Sequence, residues 1–370
     1  MRLLLTIPDI AAATGGPPIS TTSQAAALKA EGDEVHLLFA ADTSSLRVAV
    51  PCGVHAHCVP QQSSPWQRYR QFRSRARQLI ASEGIEIVHD HGLWLPENVA
   101  SADAAQSQGV PWIAQPCGML QDWSMRQSRL KKQMAWQLYQ RRRLVRAAAL
   151  VSTSEAESTE AGPWLPGSLP LACIPYGIDI PNPLPHLTRE RQAVFLGRLH
   201  PKKQVDVLLT AWAALRPTGW QLRIAGSGEP GYVTALKQQA TRLGLGDDVQ
   251  FVGAVHGEQK SRLLFESRLF LQPSQQENFG LAVAEALAHG LPAITTTAMP
   301  WSALVEAGCG WNIGVDAVSI TTALGTALAL PDAHLEDMGQ RARRFAAQYS
   351  WAETARGLQR LYSSALTRSE

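Results

Sequence analysis

Residues 269–297, LFLQPSQQENFGLAVAEALAHGLPAITTT, contain the repeating unit from which the fold can be inferred. A short apolar run is followed by a Pro-Ser turn, an alanine-rich helical segment and a Gly-Leu-Pro break that leads into a β-branched run. Two short strands joined by a crossover helix form a parallel pair. The same alternation recurs along most of the chain, so we predict an α/β protein with helices on both faces of parallel sheets.

The chain of 370 residues exceeds the usual size of one domain. A proline-rich segment, 175–191, separates two stretches of alternating strands and helices. We therefore predict two Rossmann-like doubly wound domains that face each other across a cleft. The predicted bounds are 1–178 and 192–349, with a linker at 179–191 and a C-terminal helix at 350–370 that packs back on the first domain.

Composition narrows the class of protein. With 45% hydrophobic and 18% charged residues the chain is an ordinary globular protein, and a net charge of +3 argues against nucleic-acid binding. No run of 18 or more apolar residues indicates a membrane-spanning helix, and the first residues suit a β-strand better than a signal peptide. The five cysteines form no CxxC pair and no Cys/His cluster with metal spacing, which indicates a reducing compartment.

Basic residues are concentrated in two segments of the first domain. Residues 66–77 carry five arginines and no acid, and residues 126–146 carry eight bases and no acid. We expect helices at 66–80 and 126–146, and we predict that both bind an anionic membrane surface. The alternative is a solvated basic face without a partner. Aromatic residues lie among the bases: Trp66, Tyr69, Trp136 and Tyr139.

Two carboxylates frame the start of the helix in the opening stretch. Glu277 falls in the loop after the strand. Glu285 lies inside the helix, about 7.5 Å along its axis from a start near Gly280, so the two would contact different parts of one extended ligand. Between them, the amides of Phe279, Gly280 and Leu281 form a helix N-terminus, which favours anions. A phosphate flanked by hydroxyl-bearing groups fits this arrangement. The alternative is two unrelated glutamates.

Glycines and cations follow two strands of the second domain. The run FLGRLHPKK places Arg198 and Lys203 after a strand, where two cations suit a diphosphate, and Gly197 allows close backbone approach. The run RIAGSGEPGY adds Gly226 and Gly228 after the next strand, but it lacks the full GxGxxG spacing of a dinucleotide site.

These motifs, in this order and spacing, resemble glycosyltransferase family 4, whose members are retaining enzymes of GT-B fold. The resemblance covers nearly the whole chain and is strongest from 194 to 312. It implies that Glu285 holds the ribose hydroxyls of a nucleotide diphosphate sugar and that Glu277 holds hydroxyls of the donor sugar. Arg198 and Lys203 would neutralise the leaving diphosphate. The further donor-binding residues that the resemblance implies are Asn278, Phe279, Gly280, Leu281, Gly197, Gly226 and Gly228.

The first domain matches the family less closely. Gly15 and Gly16 match a glycine loop that approaches the donor phosphates and the acceptor, with a plain β-to-α turn as the alternative. Asp90 and His91 lie at a strand's end, where we expect them to face the cleft on the acceptor side, and His91 is a candidate catalytic residue. Cys117 stands where many relatives carry a histidine. Because a thiol carries no stable positive charge, we expect Cys117 to be a site residue without an acid-base role.

The resemblance implies front-face attack, in which the acceptor hydroxyl approaches from the side on which the diphosphate leaves. The two-carboxylate scheme of glycoside hydrolases does not apply, because Glu277 and Glu285 both bind hydroxyls. No Asp-x-Asp motif occurs and two fixed cations are present, so we expect no metal and no cofactor beyond the nucleotide sugar. Gln204 is a further departure from the family, since relatives usually have glycine there.

Three functions remain open at this stage. The leading prediction is a cytoplasmic glycosyltransferase, peripheral on the inner face of the membrane, that extends a lipid-linked or lipid-anchored glycan in polysaccharide assembly. The second is a transferase that acts on a small soluble acceptor. The third is a GT-B-like epimerase or hydrolase of sugar nucleotides, which would release free sugar and nucleotide without an acceptor.

Overall fold

The computed structural model describes residues 1–11, 15–41, 47–165, 167, 169–184 and 187–368. The chain forms two compact units: a first unit of Met1–Gly177 with Tyr349–Glu370, and a second unit of Ile178–Gln348. Each unit contains a parallel sheet with helices, which is the predicted α/β architecture. Within the predicted linker, Pro185 and His186 lie outside the described residues.

Across the described ranges, the sheet of the first unit has seven parallel strands in the order β3-β2-β1-β4-β5-β6-β7. The strands are β1 Arg2–Asp9, β2 Glu34–Ala41, β3 His55–Pro60, β4 Ile87–His91, β5 Trp112–Gln115, β6 Ala149–Ser152 and β7 Leu171–Cys173. The order reverses between β1 and β4, so the loops after these strands flank the point where open α/β sheets bind ligands. The sequence pattern did not predict β3, because an edge strand exposes most of its side chains and lacks an apolar run.

Alternate side chains of β1 supply two hydrophobic cores, one on each face of the first sheet. Leu4 packs in a core with apolar residues of α2 (Pro65–Ser82) and α3 (Pro96–Ser107), whereas Leu3 and Leu5 pack in a second core with residues of α1 (Gly16–Ala30). This division follows from the two-residue period of a strand. The helices are α1 Gly16–Ala30, α2 Pro65–Ser82, α3 Pro96–Ser107, α4 Asp122–Arg126, α5 Arg129–Ala135, α6 Arg141–Leu144 and α7 Glu155–Ala161.

The long basic helix predicted over 126–146 is interrupted, so that prediction is wrong. Ser128 separates α4 from α5 with a left-handed backbone (φ 54°), which a right-handed helix cannot continue through. A π-helical turn, Trp136–Gln140, then separates α5 from α6. The charge pattern had no information on either break, because both concern backbone conformation.

The second unit repeats the doubly wound pattern with its own core. Its six described strands are parallel where they pair and lie in the order β10-β9-β8-β11-β12-β13. The strands are β8 Gln192–Leu196, β9 Gln221–Ala225, β10 Val249–Gly253, β11 Leu269–Gln272, β12 Ala293–Thr296 and β13 Gly310–Ile313. The helices are α8 Val205–Leu215, α9 Pro230–Arg242, α10 Gly257–Glu266, α11 Leu281–Ala288, α12 Ala303–Glu306, α13 Ala317–Leu328 and α14 Asp332–Ala346. The order reverses between β8 and β11, which places the loops of both quoted motifs at the switch point.

A last helix, α15 (Trp351–Thr367), returns to the first unit. Its residues Ala355 and Leu358 lie in the same core as Leu3 of β1. Tyr362 is fully buried, and its hydroxyl lies 2.6 Å from Nδ1 of His89 in β4. This hydrogen bond fixes the helix on the sheet in addition to the apolar contacts.

Candidate active site

A buried ion pair joins the loops that follow β8 and β11. Lys203 ends a short 3₁₀ turn, Pro201–Lys203, and its Nζ binds Oε1 of Glu277. The two side chains are only 17% and 12% exposed. The amide of Gln275 also donates to the carbonyl of Lys202 at 2.8 Å, so the backbones of the loops are fixed together as well. Burial by itself would raise the pKa of Glu277, but Lys203 and Lys202 outweigh it, and the pKa lies below the ordinary carboxyl value.

The loop after β8 also carries a cation that is exposed to solvent. Arg198 is exposed, and none of the carboxylates that the structure describes lies within ion-pair distance of it. The pKa of nearby His200 is lowered by burial and by the charges of Arg198, Lys202 and Lys203, so this imidazole is neutral at physiological pH. The loop therefore presents positive charge to an incoming anion.

Helix α11 follows the loop after β11 and begins at Leu281, one residue later than predicted. Gly280 precedes the helix in the left-handed conformation (φ 86°), and its carbonyl accepts the first helical hydrogen bond, from Val283. Over the described ranges, the amides of Gly280, Leu281 and Ala282 donate to no acceptor. These three amides, rather than the predicted set that began at Phe279, form the helix N-terminus that can bind an anion.

Phe279 supports this loop from inside. It is 3% exposed, and its carbonyl oxygen accepts a 2.6 Å hydrogen bond from Nε1 of Trp301. A Cβ atom on Gly280 would lie only 2.9 Å from the same Nε1, so the close approach of Trp301 requires glycine at that position. Asn278 lies half-buried between Glu277 and Phe279. Contact of Asn278 or Phe279 with a donor stays a prediction.

The second carboxylate of the pair is also bound by a lysine. Oε1 of Glu285 lies 2.6 Å from Nζ of Lys260 on α10, and both side chains are about one quarter exposed (25% and 23%). The sequence analysis missed Lys260. No local signal could have identified it, because the contact joins two helices that are 25 residues apart in the chain. Each glutamate of the motif is therefore held in place by a lysine from another element.

Gly226 and Gly228 have a structural reason that involves no ligand. A Cβ atom on Gly226 would lie 1.8 Å from the carbonyl oxygen of Gly197, and one on Gly228 would lie 2.1 Å from that of Leu199. The two loops continue the pairing of β8 with β9, since the Gly197 amide donates to Ala225 at 3.0 Å. These glycines therefore allow two backbone segments to meet. Their predicted contact with a donor, and that of Gly197, stays a prediction.

The glycine loop of the first unit offers fewer donors than α11. Gly15 precedes α1 with a positive φ of 95°, and no atom of the described residues lies within 4 Å of where its Cβ would be. Gly16 is the first helical residue and is followed by Pro17 and Pro18, which have no amide hydrogen. Close approach of a ligand to Gly15 and Gly16 stays a prediction.

Asp90 and His91 lie at the end of β4, as expected, and both are buried. That they face the cleft stays a prediction. Each is 1% exposed. Asp90 accepts hydrogen bonds from Thr6 Oγ1 (2.6 Å) and Asn98 Nδ2 (3.1 Å), and burial raises its pKa well above the ordinary value. Nδ1 of His91 lies 3.2 Å from the Thr6 carbonyl, its ring stacks on His89, and burial lowers its pKa to about 4. Both side chains hold β4 to its neighbours. A role of His91 in transfer stays a prediction.

Cys117 lies in a strained loop after β5. Its backbone is left-handed (φ 53°), and its Sγ lies 3.4 Å from the Gln115 carbonyl and 3.8 Å from the Tyr176 hydroxyl. Burial, together with the charge of Glu157, raises the pKa of the thiol to about 12. The thiol therefore stays protonated at physiological pH, which agrees with the expectation that Cys117 has no acid-base role.

The sequence analysis missed Glu157, which fixes the Cys117 loop. Oε1 accepts the amide of Gly118 at 2.5 Å, and Oε2 accepts the amide and the hydroxyl of Thr153, both at 2.8 Å. The pattern Ser154-x-x-Glu157 is a helix capping box, and Ser154 Oγ accepts the Glu157 amide at 3.1 Å. That pattern was the available signal. It predicts the start of α7, however, and not the contact with Gly118.

We expect Cys117→Ser to retain measurable activity with an unchanged pH profile between pH 6 and about 9, because the thiol does not ionise there. The ordinary thiol value is 9.0 and the folded value about 12, so the folded state keeps a proton that the unfolded chain releases. Folding stability of the wild type should therefore fall as pH rises from about 9. Rates and unfolding across pH test this, with exposed Cys52→Ser as control. Complete loss of activity in a folded protein would contradict the prediction.

The backbone conformation at Gln204 is one that suits glycine, the residue expected there from the family resemblance. Its backbone is left-handed (φ 52°), which costs a side-chain-bearing residue about 1–2 kcal/mol. Its Nε2 donates to the Val315 carbonyl at 3.2 Å, while its buried Oε1 has no partner among the described residues. The hydrogen bond offsets only part of this cost.

Gln204→Gly and Gln204→Ala should differ in stability, because both remove the hydrogen bond and only alanine keeps the backbone strain. We expect the glycine variant to be more stable by about 1 kcal/mol, as measured by urea denaturation. Lys237, an exposed residue in the middle of α9, provides the matched control. There the alanine variant should be more stable than the glycine variant by a similar amount. An alanine variant at 204 that equals the glycine variant would rule out strain at this position.

The chain is similar to known glycosyltransferases over most of its length. Residues 15–177 match the family described as glycosyl transferase 4-like domain, and residues 179–345 match glycosyl transferases group 1. It is 35% identical over 181 residues (46% of this chain, 40% of the relative) to D-inositol 3-phosphate glycosyltransferase of Nocardia farcinica. It is 29% identical over 187 residues (49% and 47%) to GDP-mannose:cellobiosyl-diphosphopolyprenol alpha-mannosyltransferase of Komagataeibacter xylinus. The match therefore spans less than half the length of these curated relatives.

The fold is that of a solved structure, HepE from Anabaena in complex with UDP and glucose. The TM-score is 0.77 at 18% identity, with 98% of this chain and all of the other covered. This likeness shows the GT-B fold, with its two Rossmann-like domains. With both domain matches and this fold, the chain belongs to glycosyltransferase family 4.

Proposed function

We propose that the protein transfers a sugar from a nucleotide diphosphate sugar to a hydroxyl of a lipid-linked or lipid-anchored glycan, with retention of anomeric configuration. One observation carries the proposal. At the switch point of the second unit, exposed Arg198, partly buried Lys203 and the amides at the start of α11 all lie on the loops after β8 and β11. This set of donors and cations suits a diphosphate leaving group.

Stabilisation of the leaving diphosphate is the main catalytic contribution in this proposal. Charge develops on the diphosphate as the bond to the sugar breaks, and fixed cations and amides stabilise it without reorganisation. Arg198 and Lys203 supply this charge, so we propose that transfer needs no metal. Glu277 is bound to Lys203, which favours a role in positioning sugar hydroxyls over one as a nucleophile. The acceptor hydroxyl then attacks from the side on which the diphosphate leaves.

The names of the relatives support a nucleotide sugar donor without choosing its base. The Komagataeibacter relative is named for GDP-mannose, and the Anabaena structure contains UDP. A thermal-shift screen of UDP-, GDP- and ADP-sugars identifies the base, and NMR of the product measures the anomeric configuration. No response to any sugar nucleotide, or a product of inverted configuration, would refute this part of the proposal. Release of free sugar without an acceptor would favour the hydrolase alternative.

The basic segments of the first unit support a lipid-linked acceptor, although three of their arginines form ion pairs within the protein itself. Arg68 binds Glu97 through two hydrogen bonds of 2.6 and 2.8 Å. Arg143 binds Asp103 in the same way, at 2.8 and 2.7 Å. Both of these acids lie on α3, and Asp122 of α4 pairs with Arg126 at 3.8 Å, which the charge pattern could not show.

The remaining bases accompany an exposed apolar strip on α5 and the π turn. Leu130, Met134 and Leu138 recur every four residues and are 77%, 63% and 67% exposed. Exposed Arg129, Lys131, Arg141 and Arg142 flank this strip. Apolar side chains beside cations are typical of a surface that lies on an anionic leaflet. No helix in the described part of the chain is long and apolar enough to cross a membrane.

We expect Arg141→Ser with Arg142→Ser to weaken binding to anionic vesicles by about 2 kcal/mol, roughly 30-fold, because each base near the leaflet contributes about 1 kcal/mol. Co-sedimentation at two salt concentrations measures this. Lys237→Ser with Arg242→Ser removes two exposed charges from α9 of the second unit and should change nothing. If the wild type ignores anionic vesicles even at low salt, a lipid-linked acceptor is ruled out.

A small soluble acceptor is the second candidate, favoured by the similarity to D-inositol 3-phosphate glycosyltransferases. The same vesicle experiment separates the two. A protein that ignores membranes but transfers sugar to a soluble acceptor would establish this second function.

A further inference from the structure

Four titratable side chains lie together at the edge of the first sheet. Glu34 and His36 belong to β2, and His55 and His57 belong to β3. The register pairs His36 with His55. Because side chains two residues apart share a face of a strand, all four project from the same face of the sheet. In the sequence these residues form the alternating patterns Glu-x-His and His-x-His, which lie on neighbouring strands.

Three of these side chains have the spacing of metal ligands. Glu34, His36 and His55 each offer one ligand atom, and the three atoms lie within 4.8 Å of one another. Oε1 of Glu34 is 3.4 Å from Nε2 of His36, which is long for a hydrogen bond. Two ligands on a tetrahedral Zn²⁺ with bonds of about 2.0–2.1 Å lie about 3.3 Å apart. The observed distance is therefore closer to that of a pair of metal ligands.

The second nitrogen of His36 also has the partner that a ligating histidine requires. Its Nδ1 lies 3.0 Å from Nε2 of His57. A proton on Nδ1 can be donated to His57, which leaves Nε2 free for a metal. When Nε2 of His57 accepts this hydrogen bond, the neutral ring carries its own proton on Nδ1 and cannot accept from Arg75 there. The 3.1 Å contact between Arg75 and Nδ1 of His57 is then lost, while the guanidinium keeps its bond to Gln78 (2.8 Å).

We propose that Glu34, His36 and His55 bind one Zn²⁺, with His57 as the partner that orients His36. Two imidazoles and one carboxylate suit Zn²⁺, and a water completes the tetrahedron. These residues lie at the amino ends of β2 and β3, whereas the switch point lies at the carboxyl ends of the strands. The ion therefore joins the edge strand β3 to β2 and takes no part in sugar transfer.

Zinc binding to the full chain, measured by competition with a chromophoric chelator, tests the proposal. The wild type should bind one Zn²⁺ per chain. His55→Asn removes a ligand and should weaken binding at least 100-fold, whereas His57→Phe removes only the orienting partner and should cost about 10–100-fold. Exposed His334 on α14 provides the matched control, and His334→Asn should have no effect.

A second measurement does not depend on affinity. Glu34 and His55 are exposed, so Glu34→Gln and His55→Asn should fold normally by circular dichroism. Co²⁺ bound to the wild type should give the intense visible absorption of a tetrahedral site, and both variants should lose it. Unchanged zinc affinity in His55→Asn, or a weak octahedral cobalt spectrum in the wild type, would show adventitious surface binding and overturn the proposal.

Discussion

Replacing Lys203 with methionine is expected to lower the rate constant of sugar transfer by about 10²–10³-fold, the usual effect of removing one group that stabilises developing charge. Lys203 lies partly buried on the loop after β8 and is held by its ion pair with Glu277, so its charge is fixed in place. Arg198 remains in the variant and accounts for the residual rate. Steady-state kinetics measure the effect. Lys237→Met, which removes an exposed lysine on α9, is the control.

Lys203→Met also leaves Glu277 without its main counter-ion. The pH dependence of folding stability therefore distinguishes a folding defect from a loss of catalysis. In the wild type the pKa of Glu277 lies below the ordinary 4.5, so its ionisation stabilises the fold above that value and the contribution is lost as pH falls. In Lys203→Met burial should raise the pKa, so the loss of stability should shrink in acid.

A double variant, Lys203→Met with Glu277→Gln, provides the control. Because this variant lacks both charges of the ion pair, it should recover stability without recovering transfer. Recovery of transfer in the double variant would mean that Lys203 serves only to neutralise Glu277. The assigned role at the diphosphate would then be wrong.

Glu285→Ala should weaken binding of the bare nucleotide diphosphate by about 1.5–3 kcal/mol, roughly 10–150-fold, because a charged acceptor loses the ribose hydroxyls. Glu277→Ala should chiefly weaken the complete sugar nucleotide, since that carboxylate is assigned to the sugar. Isothermal titration calorimetry with both ligands and both variants measures the division. Equal losses for the two ligands in both variants would contradict it.

A variant of Lys260 can distinguish the proposed ribose contact of Glu285 from its ion pair with Lys260. Lys260→Met removes the 2.6 Å ion pair and keeps the carboxylate. We expect nucleotide binding to be unchanged or tighter in this variant, because the ribose no longer competes with a lysine. A loss as large as that of Glu285→Ala would assign the effect to the ion pair instead.

Local sequence determined the elements of the second unit and the position of its motifs. The strand, helix and strand predicted within residues 269–297 form as β11, α11 and β12, because each has an apolar period, a cap or a break within a few residues. The placement of Arg198 and Glu277 after β8 and β11 follows from the same pattern, since parallel strands bring their carboxyl ends to one edge. The break at Ser128 and the edge strand β3 were not predictable in this way, because neither has an apolar signature.

The partners of the charged residues were decided only by the tertiary structure. Lys260 reaches Glu285 across 25 residues, and Arg68 reaches Glu97 across 29. The burial of Asp90 and His91 depends on β1 and α3 packing over the end of β4. A sequence pattern reports the period of one element, whereas these contacts arise where separate elements meet. For that reason the sequence alone identified the two carboxylates of the motif, and only the folded chain showed that each is held by a lysine.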